Sequence, residues 1–358
     1  MVVVGADVHK RTHTFVAVDE VGRELGSRTF PATTAGHQDA VRWARGTFGD
    51  ELRWAIEDCR HLSARLERDL LTAGLAVVRV PPKMMAEQRR IARTRGKSDP
   101  IDAAAVARAA LREPGLPVAC HDDTSRELKL LIDRREDLVQ QRTRAINRLL
   151  WRVHELDPAW APPARSLDLV KHQRALMDKL AGVPADGIAA VVAELARDEL
   201  SDIIELTVRI NALQKRISDL AAAAAPALLA MPGVGVLTAA KLVGESAGIT
   251  RFKSEAAFAR HAGIAPIPVW SGNTAGRVRL TRSGNRQLNA AIHRIAVTQI
   301  RMDGLGKTYY EKKKAEGMST PEALRCLKRR LARIVFNTLK TDYNTVQHAT
   351  GTCLPAAA

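Results

Sequence analysis

Four carboxylates carry the first chemical signal: Asp7, Glu57, Asp99 and Asp102. Asp7 and Glu57 each follow a short apolar run. Asp99 and Asp102 are three residues apart, so they share a face in the first turn of a helix. Bare carboxylates that converge repel each other by about 4 kcal/mol at 4 Å and an effective dielectric of about 20. Mg²⁺ relieves that repulsion, because it takes oxygen ligands and keeps positions open for phosphate oxygens. Two such ions can stabilise the attacking and leaving oxygens of a phosphoryl transfer. The four acids are therefore expected to be both the metal ligands and the catalytic carboxylates of a two-ion Mg²⁺ site.

A second set of residues lies toward the C-terminus. Two Ser-Gly steps occur, Ser271-Gly272 and Ser283-Gly284, set among Arg277, Arg279, Arg282 and Arg286. These arginines are expected to bind the scissile phosphate or its neighbours. A serine hydroxyl is a weak nucleophile without activation, and His261 and His293 are too far from Ser271 in sequence to give a Ser-His-Asp triad local support. Upstream, Pro232-Gly233-Val234-Gly235 reads as a tight turn between two helices, a helix-hairpin-helix pattern. Gly233 and Gly235 would let backbone N–H groups at a helix N-terminus approach a phosphate. A basic run, 83–97, ends on Lys97 beside the last acid pair and suits a phosphate backbone.

The elements that must position these residues can be read from pattern. Residues 2–4 form a buried strand ended by Gly5; 14–18 and 24–30 are two more, with a turn at 21–23. A helix over 37–48, a strand over 52–56, a helix over 62–73 closed by Gly74, and a strand over 75–80 follow. Three strands, then helix, strand, helix, strand is the order of an RNase H-like (RuvC-like) α/β domain, a mixed sheet covered by helices. Its first and fourth strands are neighbours, which brings Asp7 and Glu57 together. Ser98 or Asp99 can cap the next helix, and Pro100 suits its first turn. Residues 124–222 carry no strand signal. Ile203, Leu206, Ile210, Leu213, Ile217 and Leu220 form a heptad seam, and Ile146, Leu149, Val153 and Leu156 form an earlier one. The seams predict an antiparallel helical hairpin, or a coiled coil between subunits. The division expected is 1–120 for the carboxylate domain, 121–225 for a helical coiled-coil linker or oligomerisation region, 226–345 for a mainly helical basic domain, and 346–358 for a frayed tail.

Charge points to the partner. Fifty-five Lys and Arg stand against 39 Asp and Glu in 358 residues, a net charge of +16. Residues 251–345 alone hold 19 Lys and Arg against 6 Asp and Glu, or +13. A nucleic acid is the leading polyanion for such a chain. Aromatics at 4% disfavour a domain that grips single strands mainly by stacking. The composition excludes full-length disorder, no apolar run is long enough to cross a membrane, and no signal peptide is read at the start. Cys59, Cys120, Cys326 and Cys353 are too scattered for a zinc site or disulfide framework and read as buried or incidental thiols. A cytoplasmic, nucleoid-associated protein is expected.

The stretches "GADVHK", "AIEDC" and "KSDPIDAAAVA" resemble the Asp, Glu, Asp-x-x-Asp motifs of the DEDD insertion-sequence transposases, the IS-one-ten family of bridge-RNA-guided recombinases. The resemblance runs from about residue 2 to 340. "GIAP", the Ser-Gly step at 271 and "SGNRQL" resemble that family's C-terminal pattern, which adds Asn285 to the nucleic-acid-binding set. The resemblance implies that Ser271 is the nucleophile, with Ser283 second because it too precedes a glycine; Trp270 and Arg282-Ser283 depart from the family's usual residues at these steps. It also implies a covalent phosphoserine intermediate, strand exchange between donor and target DNA, a structured guide RNA and a tetramer. Two other readings stay open: a metal-dependent nuclease or junction resolvase of the same fold without a covalent step, and a basic nucleic-acid binder that is not an enzyme.

Overall fold

The computed structural model describes residues 1–58, 62–91, 98–113, 115–120, 122–276, 278–280 and 284–350, without the side chains of 83, 89, 91, 274, 279, 280 and 347–350. In chain order the first elements are β1 (Val2–Val8), β2 (Thr12–Val18), β3 (Glu24–Pro31), α1 (Thr34–Phe48), β4 (Leu52–Glu57), α2 (Ala64–Thr72), β5 (Ala76–Val80), α3 (Pro82–Ile91) and α4 (Asp99–Arg112). Next come α5 (Asp123–Leu156), α6 (Val170–Ala181), α7 (Gly187–Ala224), α8 (Pro226–Leu229), α9 (Val236–Ser246), α10 (Glu255–His261), β6 (Pro266–Pro268) and β7 (Val278–Leu280). The last three helices are α11 (Arg286–Gln299), α12 (Leu305–Ala315) and α13 (Thr320–Thr350). They gather into two compact units, Met1–Asp122 with Thr250–Gly284, and Asp123–Ile249 with Asn285–Ala358. This grouping is drawn differently from the three parts read along the sequence, because residues 250–284 join the N-terminal unit.

In the first unit the sheet order is β3-β2-β1-β4-β5. β1 is antiparallel to β2 and parallel to β4, and β4 is parallel to β5. This is the RNase H-like order, with β1 at its centre. Alternation along the strands sends side chains to opposite faces. Val4, Ala6 and Val8 of β1, with Trp54 and Ile56 of β4, pack under α1 and α2 against Ala40, Ala44, Leu66 and Leu70. Val3 and Ala55 lie on the other face, with the alanine-rich side of α4 (Ala103, Ala104, Ala107 and Ala110).

The sequence reading ended β1 at Gly5, and here the structure differs: the strand runs on to Val8, and Asp7 lies inside it. Gly5 is needed for packing. A Cβ there would stand 2.3 Å from Ala103 O and 2.5 Å from Ala107 N, so α4 lies directly on the β1 backbone. Another difference is at the C-terminus, where α13 continues as helix through Thr350, past the point expected to fray.

The second unit is built on α5 and α7. Arg142 Nη1 donates to Thr207 Oγ1 (3.1 Å), Arg148 and Arg152 both reach Glu199, and Arg135 Nη2 donates to Gln214 Oε1 (2.8 Å). Rising numbers on one helix meet falling numbers on the other, so the pair is antiparallel. Of the two readings of the heptad seam, the structure takes the internal hairpin. Ile203 is buried with Ala145, Leu149 and Val153, and Ile217 with Leu128, Ile132 and Ala240 of α9. Asp342 of α13 accepts from Ala227 N (2.8 Å) and Leu228 N (3.0 Å), capping α8. No described helix is long and apolar enough to cross a membrane.

Candidate active site

Strand and helix periodicity carry the carboxylates to the α4 face of the sheet. On β1, Val3, Gly5 and Asp7 share that face by strand periodicity; on β4, Ala55 and Glu57 do. β1 and β4 are in register as far as the Ala6–Ile56 pair, and Asp7 and Glu57 are the next residue on each strand. The two acids therefore lie side by side on adjacent parallel strands, Glu57 as the last residue of β4 and Asp7 one residue before the end of β1. α4 supplies the other pair. Ser98 occupies its N-cap position with extended backbone, although its hydroxyl makes no capping bond, and Pro100 sits in the first turn. Asp102 is buried and directly precedes Ala103, whose carbonyl lies against Gly5. The glycine contact thus sets the height of Asp102 over Asp7.

His9 joins this group. Its Nε2 lies 3.0 Å from Asp7 Oδ2 and 3.4 Å from Asp99 Oδ1. One ligand atom from each of Asp7, His9 and Asp99 falls within 4.8 Å of the others. His9 lies one residue past the end of β1 and two after Asp7, and that two-residue spacing is its signal in the sequence. Burial raises the Asp7 carboxyl above the usual carboxylate range. The neighbouring charges of Asp102 and Asp99 add to the rise, and His9 opposes it. A carboxyl raised by burial and by two neighbouring carboxylates, together with an imidazole at bonding distance, belongs to a donor set that a divalent cation would neutralise. The residues present therefore fit a divalent metal.

Beneath the site lies a buried imidazole pair. His9 N donates to His13 Nδ1 (3.3 Å), and the His13 ring stacks on His37 at 5.1 Å between centroids. His37 Nδ1 is 2.6 Å from Asp69 Oδ2. Burial, and then the His37 charge, push His13 down to about 4.

Ser271 lies in the same compact unit, in the 250–284 segment. β6 and β7 pair antiparallel, Pro266 with Leu280 and Pro268 with Val278, and Ser271 is in the excursion between them. The segment is tied to the end of β4. Buried Arg251 places Nη1 3.5 Å from Asp58 Oδ2, one residue past Glu57, and Nη2 2.9 Å from His261 Nε2. The two Ser-Gly steps differ. Gly272 has φ +48 and a Cβ there would meet nothing within 4 Å, whereas Gly284 has φ +109 and a Cβ there would stand 2.6 Å from Gly263 N. Gly284 is therefore explained by packing and Gly272 is not.

The other expected residues fall as follows. Gly233, at φ +80, packs on α11, where a Cβ would meet Gln299 and Ile295, while Gly235 caps α9. Asn285 caps α11, its Oδ1 accepting from Gln287 N and Leu288 N, and its Nδ2 donates to Glu245 Oε2 (2.7 Å). Nδ2 carries a second N–H, which a phosphate could take without breaking any of these bonds. Arg286 is exposed at the start of α11. Arg279 is in β7, its side chain not described; Lys97, Arg277, Arg282 and Ser283 lie outside the described residues.

Two family profiles match the chain: "Transposase" over residues 4–156, and "Transposase IS116/IS110/IS902 family" over residues 225–311. The chain is 28% identical to the insertion element IS900 uncharacterized 42 kDa protein of Mycobacterium paratuberculosis, covering 97% of this chain and 98% of that one. It is also 28% identical to the insertion element IS116 uncharacterized 44.8 kDa protein of Streptomyces clavuligerus, over 94% of each. Among solved structures, T. thermophilus RuvC in complex with Holliday junction substrate aligns at 15% identity with a TM-score of 0.25, covering 31% of this chain and 95% of that one. Both profiles, the full-length relatives and the strand order with its four acids agree that this chain belongs to the IS116/IS110/IS902 family of insertion-sequence transposases, enzymes that act on DNA.

Proposed function

We propose that the chain is a Mg²⁺-dependent DNA recombinase, in which Asp7, Glu57, Asp99 and Asp102 form the metal site and Ser271 is the nucleophile. The observation that carries this reading is the meeting of Asp7 and Asp99 through His9, with Asp102 placed by the Gly5 contact and Glu57 ending the next strand. When bound, a pair of divalent ions would polarise the scissile phosphate and neutralise charge on its oxygens. The carboxylates position that pair. His9 holds Asp7 and Asp99 together from the solvent side.

Ser271 Oγ attacks the phosphorus and forms an O–P bond while one bridging P–O bond breaks, and the leaving sugar oxygen takes a proton from solvent to become a hydroxyl. The serine proton passes to solvent. A hydroxyl of the exchanged strand then attacks the phosphoserine, which restores a phosphodiester and the free serine. The number of phosphoester bonds is unchanged, so the reaction needs no external energy. Ser271 is exposed, as a hydroxyl that must meet a phosphate has to be. Arg277, Arg279, Arg282 and Arg286 would offset the charge on the pentavalent phosphorus. Lys97, the turn at Gly233 and Gly235, and Asn285 complete the proposed nucleic-acid contacts.

The family resemblance adds the finer proposals: a structured guide RNA, a tetramer, and action at the nucleoid in the cytoplasm. The experiment that tests the metal site is Asp102→Asn beside wild type. Cleavage of donor DNA should vanish with or without added Mg²⁺, while DNA and RNA binding persist, because Lys and Arg supply the affinity. Near-normal Mg²⁺-dependent cleavage by the variant would exclude the four-acid site.

A further inference from the structure

A cavity of about 300 Å³ lies between α5, α9 and α11 in the second unit. Three cations line it, Arg135, Lys241 and Arg294, against one carboxylate, Glu136. Lys241 is buried, paired with Glu136 and donating to Gln287 Oε1 (2.8 Å), so its charge is answered within the fold. Arg135 is not answered in that way. Its Nη2 donates to a neutral amide, Gln214 Oε1, and its buried Nε has no hydrogen-bond partner among the described residues. Burial holds the Arg135 guanidinium below its ordinary pKa, and the cation of Arg142, one heptad along α5, lowers it further, while Glu136 opposes both. A buried N–H donor without an acceptor needs an explanation, and a guanidinium beside a second cation gains most from an anion. Arg294 reaches the cavity from α11 and is exposed, which leaves the site open to a strand from outside. Ile132, Val139 and Leu237 complete the lining as an apolar wall. The volume holds about ten waters, more than a bare anion needs, and an apolar wall beside paired arginines suits a sugar next to its phosphate.

We infer that this cavity binds one phosphodiester unit of a nucleic-acid strand, with Arg135 and Arg294 on the phosphate and Ile132, Val139 and Leu237 against the sugar. The inference rests on the DNA-handling reading only for the choice of polyanion; the excess of cations is a property of the cavity itself.

The test uses the full chain with Arg135→Ala, Arg294→Ala and Glu136→Gln. Each is titrated by fluorescence anisotropy with a labelled duplex DNA and a labelled hairpin RNA across a salt series. Each arginine variant should lose about tenfold in affinity at low salt and flatten the slope of log K against log salt by about one. Glu136→Gln should bind more tightly than wild type. A loss confined to DNA or to RNA assigns the strand, and either supports the site. Arg294 is exposed, so its alanine variant decides the matter even if Arg135→Ala fails to fold. Affinity and slope matching wild type for both probes would overturn the inference while leaving the carboxylate site standing. Wild type that bound neither probe would sink this inference and the nucleic-acid reading together.

Discussion

Gly5→Ala probes the contact that joins the fold to the chemistry. The new methyl would stand 2.3 Å from Ala103 O and 2.5 Å from Ala107 N, both backbone atoms that cannot swing aside. Ordinary separation needs about 3.5 Å, so α4 must retreat by about 1 Å or more. Overpacking of this kind costs about 1–3 kcal/mol, which for a unit of this size lowers Tm by about 2–10 °C. The catalytic cost is larger, because α4 carries Asp99 and Asp102. A displacement of about 1 Å at a reacting centre costs on the order of 10²-fold in rate. The assay is Mg²⁺-dependent cleavage of a labelled donor DNA, run below the variant's Tm. Gly46→Ala in α1 is the matched control: a Cβ there meets nothing within 4 Å, so stability should hold or rise slightly and cleavage should be unchanged. If Gly5→Ala cleaves at the wild-type rate, α4 does not set the height of the site, and the positioning argument is wrong.

Three further outcomes follow from the packing. His13, buried and held near pKa 4 in the fold against 6.5 unfolded, stays neutral when folded; the unfolded chain binds the extra proton, so stability is lost as pH falls from about 6.5 to 4. The loss is about 3 kcal/mol at most, and denaturant melts of His13→Gln over that range should be flatter than wild type. Ile217→Asp places a charge in the buried α5–α7–α9 cluster and should cost at least about 3 kcal/mol by denaturant melt, whereas Val208→Asp, 64% exposed on the same helix, should be near neutral. Arg251→Met cuts the tie between the 250–284 segment and Asp58. It should slow cleavage at least about tenfold in a protein whose circular dichroism is unchanged, and an unaltered rate would show that the tie does not position the serine segment.

The acid motifs were legible because strand order and helix capping are local signals: β4, α4 and the Asp-x-x-Asp turn fall close to where pattern put them. Gly5 was misread because a glycine after an apolar run looks like a stop, and only the helix packed on it, about a hundred residues later, gives it another reason. His9 was missed because an exposed histidine beside a strand end is common, and its value lies in distances to Asp7 and Asp99. The heptad seam left a hairpin and a subunit interface equally open, since periodicity records a buried face and not the owner of the partner helix. Arg251 carried no signal at all. It joins Asp58 across nearly two hundred residues, a pairing that only the folded chain contains.

The most direct test of the central claim is the fate of labelled DNA when the reaction is denatured midway and the protein digested. The account predicts a phosphoserine adduct on the peptide containing Ser271, absent from Ser271→Ala and from Asp102→Asn. Cleavage that proceeds normally with no protein–DNA adduct, or an adduct on the Ser283 peptide, would contradict it.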